Sequence, residues 1–411
     1  MLQGNVHPDF SRVADLFLRQ LPAPRPGGAA LTVYHRGQIV VDIWAGTRDK
    51  QGTPWTPDTL ALSYSTTKGI ASTLLHIYAD RGAIHYDTPV AQYWPAFGKN
   101  GKASITVRQL LSHEAGLYDI RELISDAHEM NDWAHMLTLI ENAAPRHHPG
   151  SRNGYHGLTY GFLIGGLLEK VSGKRFAEIL HEELTAPLQL DGCFVGLPEN
   201  EFARAAKLIR PDPKPVSSVP KKPRKPSLQS QLVERALELS GFDNETSKMG
   251  LMPKGISRYD WNSHEVLAAC NPSAGGMFNS RSLAKIYLML ANHGQLDGRR
   301  YVSPTTFAAL SRVQNTQRGD VVPLAMRWRL GYHRVFTTGP RTPNAFGHFG
   351  FGGSGAWCDP SRGLAVGYVV NSGSGSPFGD LRLWQLNSVI IRAAEARGTV
   401  RARFGKLLAG H

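Results

Sequence analysis

The chain of 411 residues reads as an α/β (α+β) protein: an antiparallel sheet flanked by helices, built from both chain ends, with an inserted, mainly helical lobe. Three observations predict this. Strand-like runs open the chain at Ala30 to His35 and Gln38 to Trp44 and return near its end at Gly355 to Cys358 and Leu364 to Asn371. Helical spacing of apolar residues dominates the stretch between. The short connection between the first two runs makes them a hairpin, so the sheet they belong to is antiparallel. The expected units are 1–86 with 270–411 for the sheet domain and 87–269 for the helical lobe. A ligand belongs in the crevice between them.

Each element follows from local pattern. Phe10, Val13, Leu16, Phe17 and Leu21 recur at helical spacing and give a first amphipathic helix. Arg36-Gly37 is the tight turn between the first two strands. Thr56 to Thr66 is a loop, and a helix starts near Ser65. Its body, Ile70 to Tyr78, turns Leu74, Leu75 and Tyr78 inward and stops before Gly82, a suitable C-terminal cap. In the lobe, Thr106 to Leu111, Ala134 to Ile140, Thr159 to Val171 and Phe176 to Leu184 are helical. Further helices run from Arg281 to Leu290 and from Leu381 to Arg397.

Hydrophobic content of 41% with 19% charged residues is that of a globular protein. The first ten residues, MLQGNVHPDF, lack a basic-then-apolar leader. The longest apolar stretch, Tyr160 to Leu168, is short for a bilayer and broken by glycines. A cytoplasmic protein with no membrane span is expected. Cys193, Cys270 and Cys358 lie far apart and suit buried apolar positions rather than a disulfide framework or a zinc site. No His cluster has metal-ligand spacing, so neither metal nor cofactor is expected. The net charge of +13 has about half its excess in Lys207 to Pro226. That run is proline-rich and free of aromatics, which suits a solvated loop better than a nucleic-acid surface. A lid, or a tether for an anionic partner through Lys221, Lys222, Arg224 and Lys225, is the functional alternative.

Ser-x-x-Lys occurs three times, at Ser65/Lys68, Ser218/Lys221 and Ser282/Lys285. The chemistry needs both side chains on one helical face, so that the amine touches the hydroxyl. Pro220 breaks the second match. Asn279 and Ser280 make the third an ordinary helix start with a surface lysine. Ser65 follows a polar loop and opens a helix whose N-terminus favours developing negative charge. Taken locally it is either a nucleophile or an N-cap residue.

The surroundings of Ser65 carry a resemblance. Asp58 to Pro95 (DTLALSYSTTKGIASTLLHIYADRGAIHYDTPVAQYWP), Ile105 to Leu117, Pro149 to Leu190, Asn271 to Ser282 and Phe346 to Asn371 resemble, in order, the serine beta-lactamase-related proteins. Among these they are most similar to the class C beta-lactamase-like esterases, the family VIII carboxylesterases. The resemblance implies a beta-lactamase/transpeptidase-like fold and a small ester substrate. It implies that Ser65 is acylated and that Lys68 lowers the hydroxyl's pKa and relays its proton. Tyr155 matches the family's general base, with a phenol lowered toward neutrality by the lysine cation. His348-Phe349-Gly350 stands where beta-lactamases have Lys-Thr-Gly. The resemblance places the Phe351 N–H, just after Gly350, beside the Ser65 N–H as an oxyanion hole. His348 becomes a weak, pH-dependent cation that bonds Tyr155 or the acyl oxygen.

Two departures narrow the expected substrate. Gly157 replaces the asparagine that grips a beta-lactam's amide, and His348 replaces the lysine that pairs with its carboxylate. Both favour neutral esters over a beta-lactamase or D-peptidase activity. An acyltransferase on the same site and a non-catalytic binding scaffold are the alternatives. Gly350-Phe351-Gly352-Gly353-Ser354-Gly355 fits the dinucleotide fingerprint by letter but precedes a strand, so it is read as a substrate-side turn.

Overall fold

The computed structural model describes residues 1–21, 26–209, 244–322, 324–372 and 380–408. The basic run from 210 to 226 lies outside them. Its strands are β1 (Gln3–Val6), β2 (Gly28–His35), β3 (Gln38–Gly46), β4 (Ala61–Leu62), β5 (Cys193–Val195) and β6 (Gly276–Phe278). They continue with β7 (Gln295–Leu296), β8 (Arg299–Arg300), β9 (His333–Arg334), β10 (Phe346–Phe349), β11 (Gly355–Asp359) and β12 (Leu364–Val370). The helices that matter below are α1 (Ser11–Gln20), α2 (Thr66–Asp80), α3 (Val107–Leu111), α4 (Trp133–Asn142), α5 (Tyr160–Ser172), α6 (Asn244–Leu251), α7 (Ser280–Ala291) and α8 (Leu381–Leu408).

Seven strands form the main sheet in the order β1-β3-β2-β12-β11-β10-β9, and every pairing is antiparallel. The two chain ends meet where β2 pairs β12, from Leu364 opposite His35 to Val370 opposite Ala29. All of β12 is buried, which is why it reads as a continuous apolar run rather than an alternating one. Helix α7 lies on one face. Gly367 permits that closeness, because a Cβ there would stand 2.2 Å from the Ser280 carbonyl oxygen. Helices α1 and α8 cover the other face through Phe10, Val13, Phe17, Leu386 and Ile390.

The β2–β3 turn has Arg36 and Gly37 at φ 52° and 79°, the pair of left-handed residues that a two-residue hairpin needs. Helix α2 ends as expected, with Gly82 at φ 74° beyond it. A second sheet, β4-β6-β5, draws together segments far apart in the chain and flanks the start of α2. Its strands of two or three residues are too short to show a period. One apolar core joins α2 to α4 and α5, through Leu74, Leu137, Leu163 and Leu167 among others. Among the described residues, no helix is long and apolar enough to cross a membrane.

Candidate active site

Helix α2 is buried over nearly its whole length, and Ser65 stands at its start with helical φ and ψ. Tyr64 just before it has φ 44°, a left-handed value unusual for a residue with a side chain. Its ring is wedged between Trp261 (4.9 Å) and Phe351 (5.6 Å). Gly69 leaves room for the Tyr287 hydroxyl, which a Cβ would meet at 2.2 Å. The first turn of α2 is therefore held on several sides, and Ser65 is partly open to solvent while its neighbours are buried.

Ser65, Lys68 and Tyr155 come together as expected. Lys68 Nζ lies 2.9 Å from Ser65 Oγ, and the Tyr155 hydroxyl donates to the same Oγ at 2.8 Å. Lys68 is fully buried. Its amine donates to the carbonyls of Gly157 at 2.7 Å and Ser273 at 2.8 Å. Burial holds the amine well below the usual lysine range. The amine thus sits among three oxygen acceptors, the two carbonyls and Ser65 Oγ, while Ser65 Oγ also accepts from Tyr155. Ser273 is fixed in turn. Its Oγ donates to Leu158 O and accepts from the Gly161 N–H, both at 2.6 Å. The carbonyls of Gly157 and Ser273 carry no residue signature that could have marked them beforehand.

Two electrostatic expectations fail. The Tyr155 phenol is not lowered toward neutrality. Burial pushes it up, and the hydrogen bond to Ser65 offsets this only in part. The lysine beside it, 5.1 Å from the ring centroid, does not bring the phenol down. His348 is not a cation either. Desolvation, then His333 and Lys68, drive it well below the usual histidine range. It does not hydrogen-bond Tyr155. The two rings stack at 6.2 Å, Nδ1 sits 3.3 Å from Phe349 O, and Nε2 is buried without a partner.

Gly350 stands where β10 passes the start of α2. A Cβ there would lie 2.1 Å from Ser63 O. Its own N–H donates to Ser354 O at 2.7 Å. Among the described residues the N–H groups of Ser65 and Phe351 have no acceptor. The glycines after Gly350 form a turn into β11, so the dinucleotide resemblance is one of letters only. Gly157 has no space for a side chain. Its Cβ would meet Leu251 Cδ2 at 2.5 Å and Gly250 O at 2.6 Å, because α6 packs backbone against the Tyr155–Gly157 turn. The rival Ser282 is occupied elsewhere, accepting from the Gly192 N–H at 3.1 Å, and Asn279 caps α7 as predicted. Ser218 lies outside the described residues. Among those residues, no group of three or more His, Cys, Asp or Glu could hold a metal ion.

A lysine hydrogen-bonded to a helix-start serine, inside an α/β fold, is the arrangement of serine hydrolases of the Ser-x-x-Lys type. Residues 15–389 match the beta-lactamase family model, and the chain belongs to that family. It is 36% identical over 373 residues to the esterase/beta-lactamase LipL of Mycobacterium tuberculosis, spanning 90% of this chain and 82% of that protein. Among solved structures it superposes on a penicillin-binding protein homolog from Caulobacter crescentus with TM-score 0.80 and 31% identity, over 96% of this chain and 100% of that one. A family VIII carboxylesterase gives 0.79 and 32%, over the same shares. The protein is thus a serine hydrolase of beta-lactamase fold, esterase- or beta-lactamase-like.

Proposed function

We propose that the chain is a carboxylesterase working through an acyl-enzyme on Ser65, with Lys68 as the base and Tyr155 as the proton carrier. The observation that carries this reading is the buried Lys68 amine, held by two carbonyls and 2.9 Å from Ser65 Oγ, where its neutral form would take the serine proton. Ser65 Oγ attacks the ester carbonyl as its proton passes to Lys68 Nζ. The N–H groups of Ser65 and Phe351 take the developing oxyanion. The C–O bond breaks, and the Tyr155 hydroxyl gives its proton to the departing alcohol oxygen, recovering one from Lys68. A water then attacks the acyl carbon, gives a proton to Lys68 through Tyr155, and Ser65 leaves protonated.

Esters are favoured over beta-lactams by two features. An asparagine amide at position 157 is sterically shut out by Gly250 and Leu251. A neutral His348 offers no charge to a carboxylate. The test is a p-nitrophenyl ester series from acetate to octanoate, run beside nitrocefin, with Ser65→Ala and a fluorophosphonate probe. Ester turnover is expected to fall by about 10³-fold or more in Ser65→Ala, and the probe to label wild type only. Full activity in Ser65→Ala removes the acyl-enzyme. Nitrocefin turnover above that of the best ester reassigns the substrate. An unlabelled Ser65 with no turnover leaves a binding scaffold.

A further inference from the structure

We propose that His113 is the positioning residue for Tyr155, gripping the catalytic turn on both sides; this rests on the reading of Tyr155 as the proton carrier. The His113 carbonyl accepts from the N–H of Gly154 at 2.9 Å. Its ring Nδ1 accepts from the N–H of His156 at 3.1 Å. The N–H groups of the residues on either side of Tyr155, Gly154 and His156, are therefore both tied to one residue. The same ring meets the Tyr155 ring edge to face at 5.0 Å and packs on Trp328 at 4.2 Å and Tyr160 at 4.9 Å. Trp328 in turn stacks on Tyr155, 5.5 Å away and nearly parallel. His113 thus touches both the backbone flanking the tyrosine and its ring.

The hydrogen bonds also fix where the protons lie. His156 Nε2 accepts from the Leu117 N–H at 3.1 Å, so the His156 proton is on Nδ1. That Nδ1 stands 3.0 Å from His113 Nδ1 and donates to it. His113 Nδ1 is then a double acceptor and its own proton is on Nε2, which is buried with no partner. An unpaired buried donor is destabilising. His113 also has φ 63°, just past the end of α3, where glycine is the usual residue. The left-handed conformation is a second cost for a residue with a side chain. A residue that only filled space would carry neither cost. Both accompany a side chain whose acceptor nitrogen holds the peptide after Tyr155.

The test is a double-mutant cycle. His113→Leu keeps the bulk and removes the acceptor. Its kcat on the best ester is expected to fall about 30-fold with KM within about threefold, the loss expected of a misplaced catalytic group. In a Tyr155→Phe background the same change should cost less than about twofold, because the residue acts only through Tyr155. His113→Asn, whose Oδ1 can replace Nδ1 as acceptor, should stay within about fivefold of wild type, and it carries the test if the leucine variant does not fold. The proposal is overturned if His113→Leu keeps kcat within twofold, if the two losses multiply, or if a folded His113→Asn loses as much as the leucine variant. Full activity in Tyr155→Phe would instead remove the reading of Tyr155 and leave the contacts of His113 merely structural.

Discussion

The two walls beside Ser65 are built differently. On the Lys68 side, Lys68, Tyr155 and Ser273 are buried and hydrogen-bonded to fixed partners. On the Phe351 side, the Phe351 ring is 48% exposed and leans on Tyr64 in its left-handed turn. There the N–H groups of Ser65 and Phe351 have no acceptor among the described residues. Burial on the first side disfavours the charged form of the amine and fixes its direction. Openness on the second side leaves dipoles and apolar surface for a substrate to meet. Reactivity and reception are thus divided between the two walls.

The broadest way to break the buried wall is acid. Behind it, or along α2, His76, His113, His156, His333 and His348 are all held below the usual histidine range by burial. In the unfolded chain such rings take up protons near pH 6.5; in the fold they do not. Stability is therefore whole above about pH 6.5 and is lost as pH falls below it, by about 1.4 kcal/mol per unit for each ring until its folded pKa is reached. His76 and His333 keep losing stability down to about 4 and His156 down to about 3, and His113 and His348 are likewise held well below the usual range. Circular dichroism during acid titration should show one cooperative unfolding with its midpoint above about pH 4, since such a loss rivals the whole stability of a domain. A native spectrum at pH 3.5 would contradict the buried, neutral cluster.

A narrower cut is Lys68→Ala, expected to lower kcat/KM by about 10²–10⁴-fold, as for loss of a general base. Fluorophosphonate labelling of Ser65 should slow in parallel. Retention within tenfold would move the base elsewhere. The smallest effect is expected on the open side. Phe351→Ala keeps the N–H and removes the ring, so KM for longer acyl chains should rise about three- to tenfold with kcat within about twofold. If kcat falls instead, the ring aims the N–H, and the two walls are less separate than their burial suggests.

The sheet, α2 and the Ser65–Lys68 pair were legible because each is a local pattern: apolar runs joined by a tight turn, helical spacing, and two side chains one turn apart. Tyr155 was legible only through the family likeness, since it lies ninety positions from Ser65 in the chain and no local rule joins them. The charges were misread at Tyr155 and His348 because burial is a property of the packed whole. A tyrosine beside a lysine looks like a phenol beside a cation until both are seen to be dry. His113 is not singled out by the sequence because it holds backbone, and backbone partners leave no trace in residue identity. Gly157 was read as a missing amide, whereas its stronger meaning is the approach of α6.

The seam between β2 and β12 bears on how the protein is made. The partner of β2 comes more than 300 residues later in the chain. Until β12 has left the ribosome, β2 is the naked edge of a three-stranded ribbon, and all but one of its residues end up buried. An apolar edge of that length invites pairing with another chain, and contacts so distant in sequence form slowly. Phe351 lies on the same late segment, so its N–H cannot reach Ser65 during most of synthesis. The nascent chain carries Ser65 for some 300 residues before the seven-stranded sheet is complete, and chaperone demand and fragment aggregation should both concentrate on the exposed edge of β2.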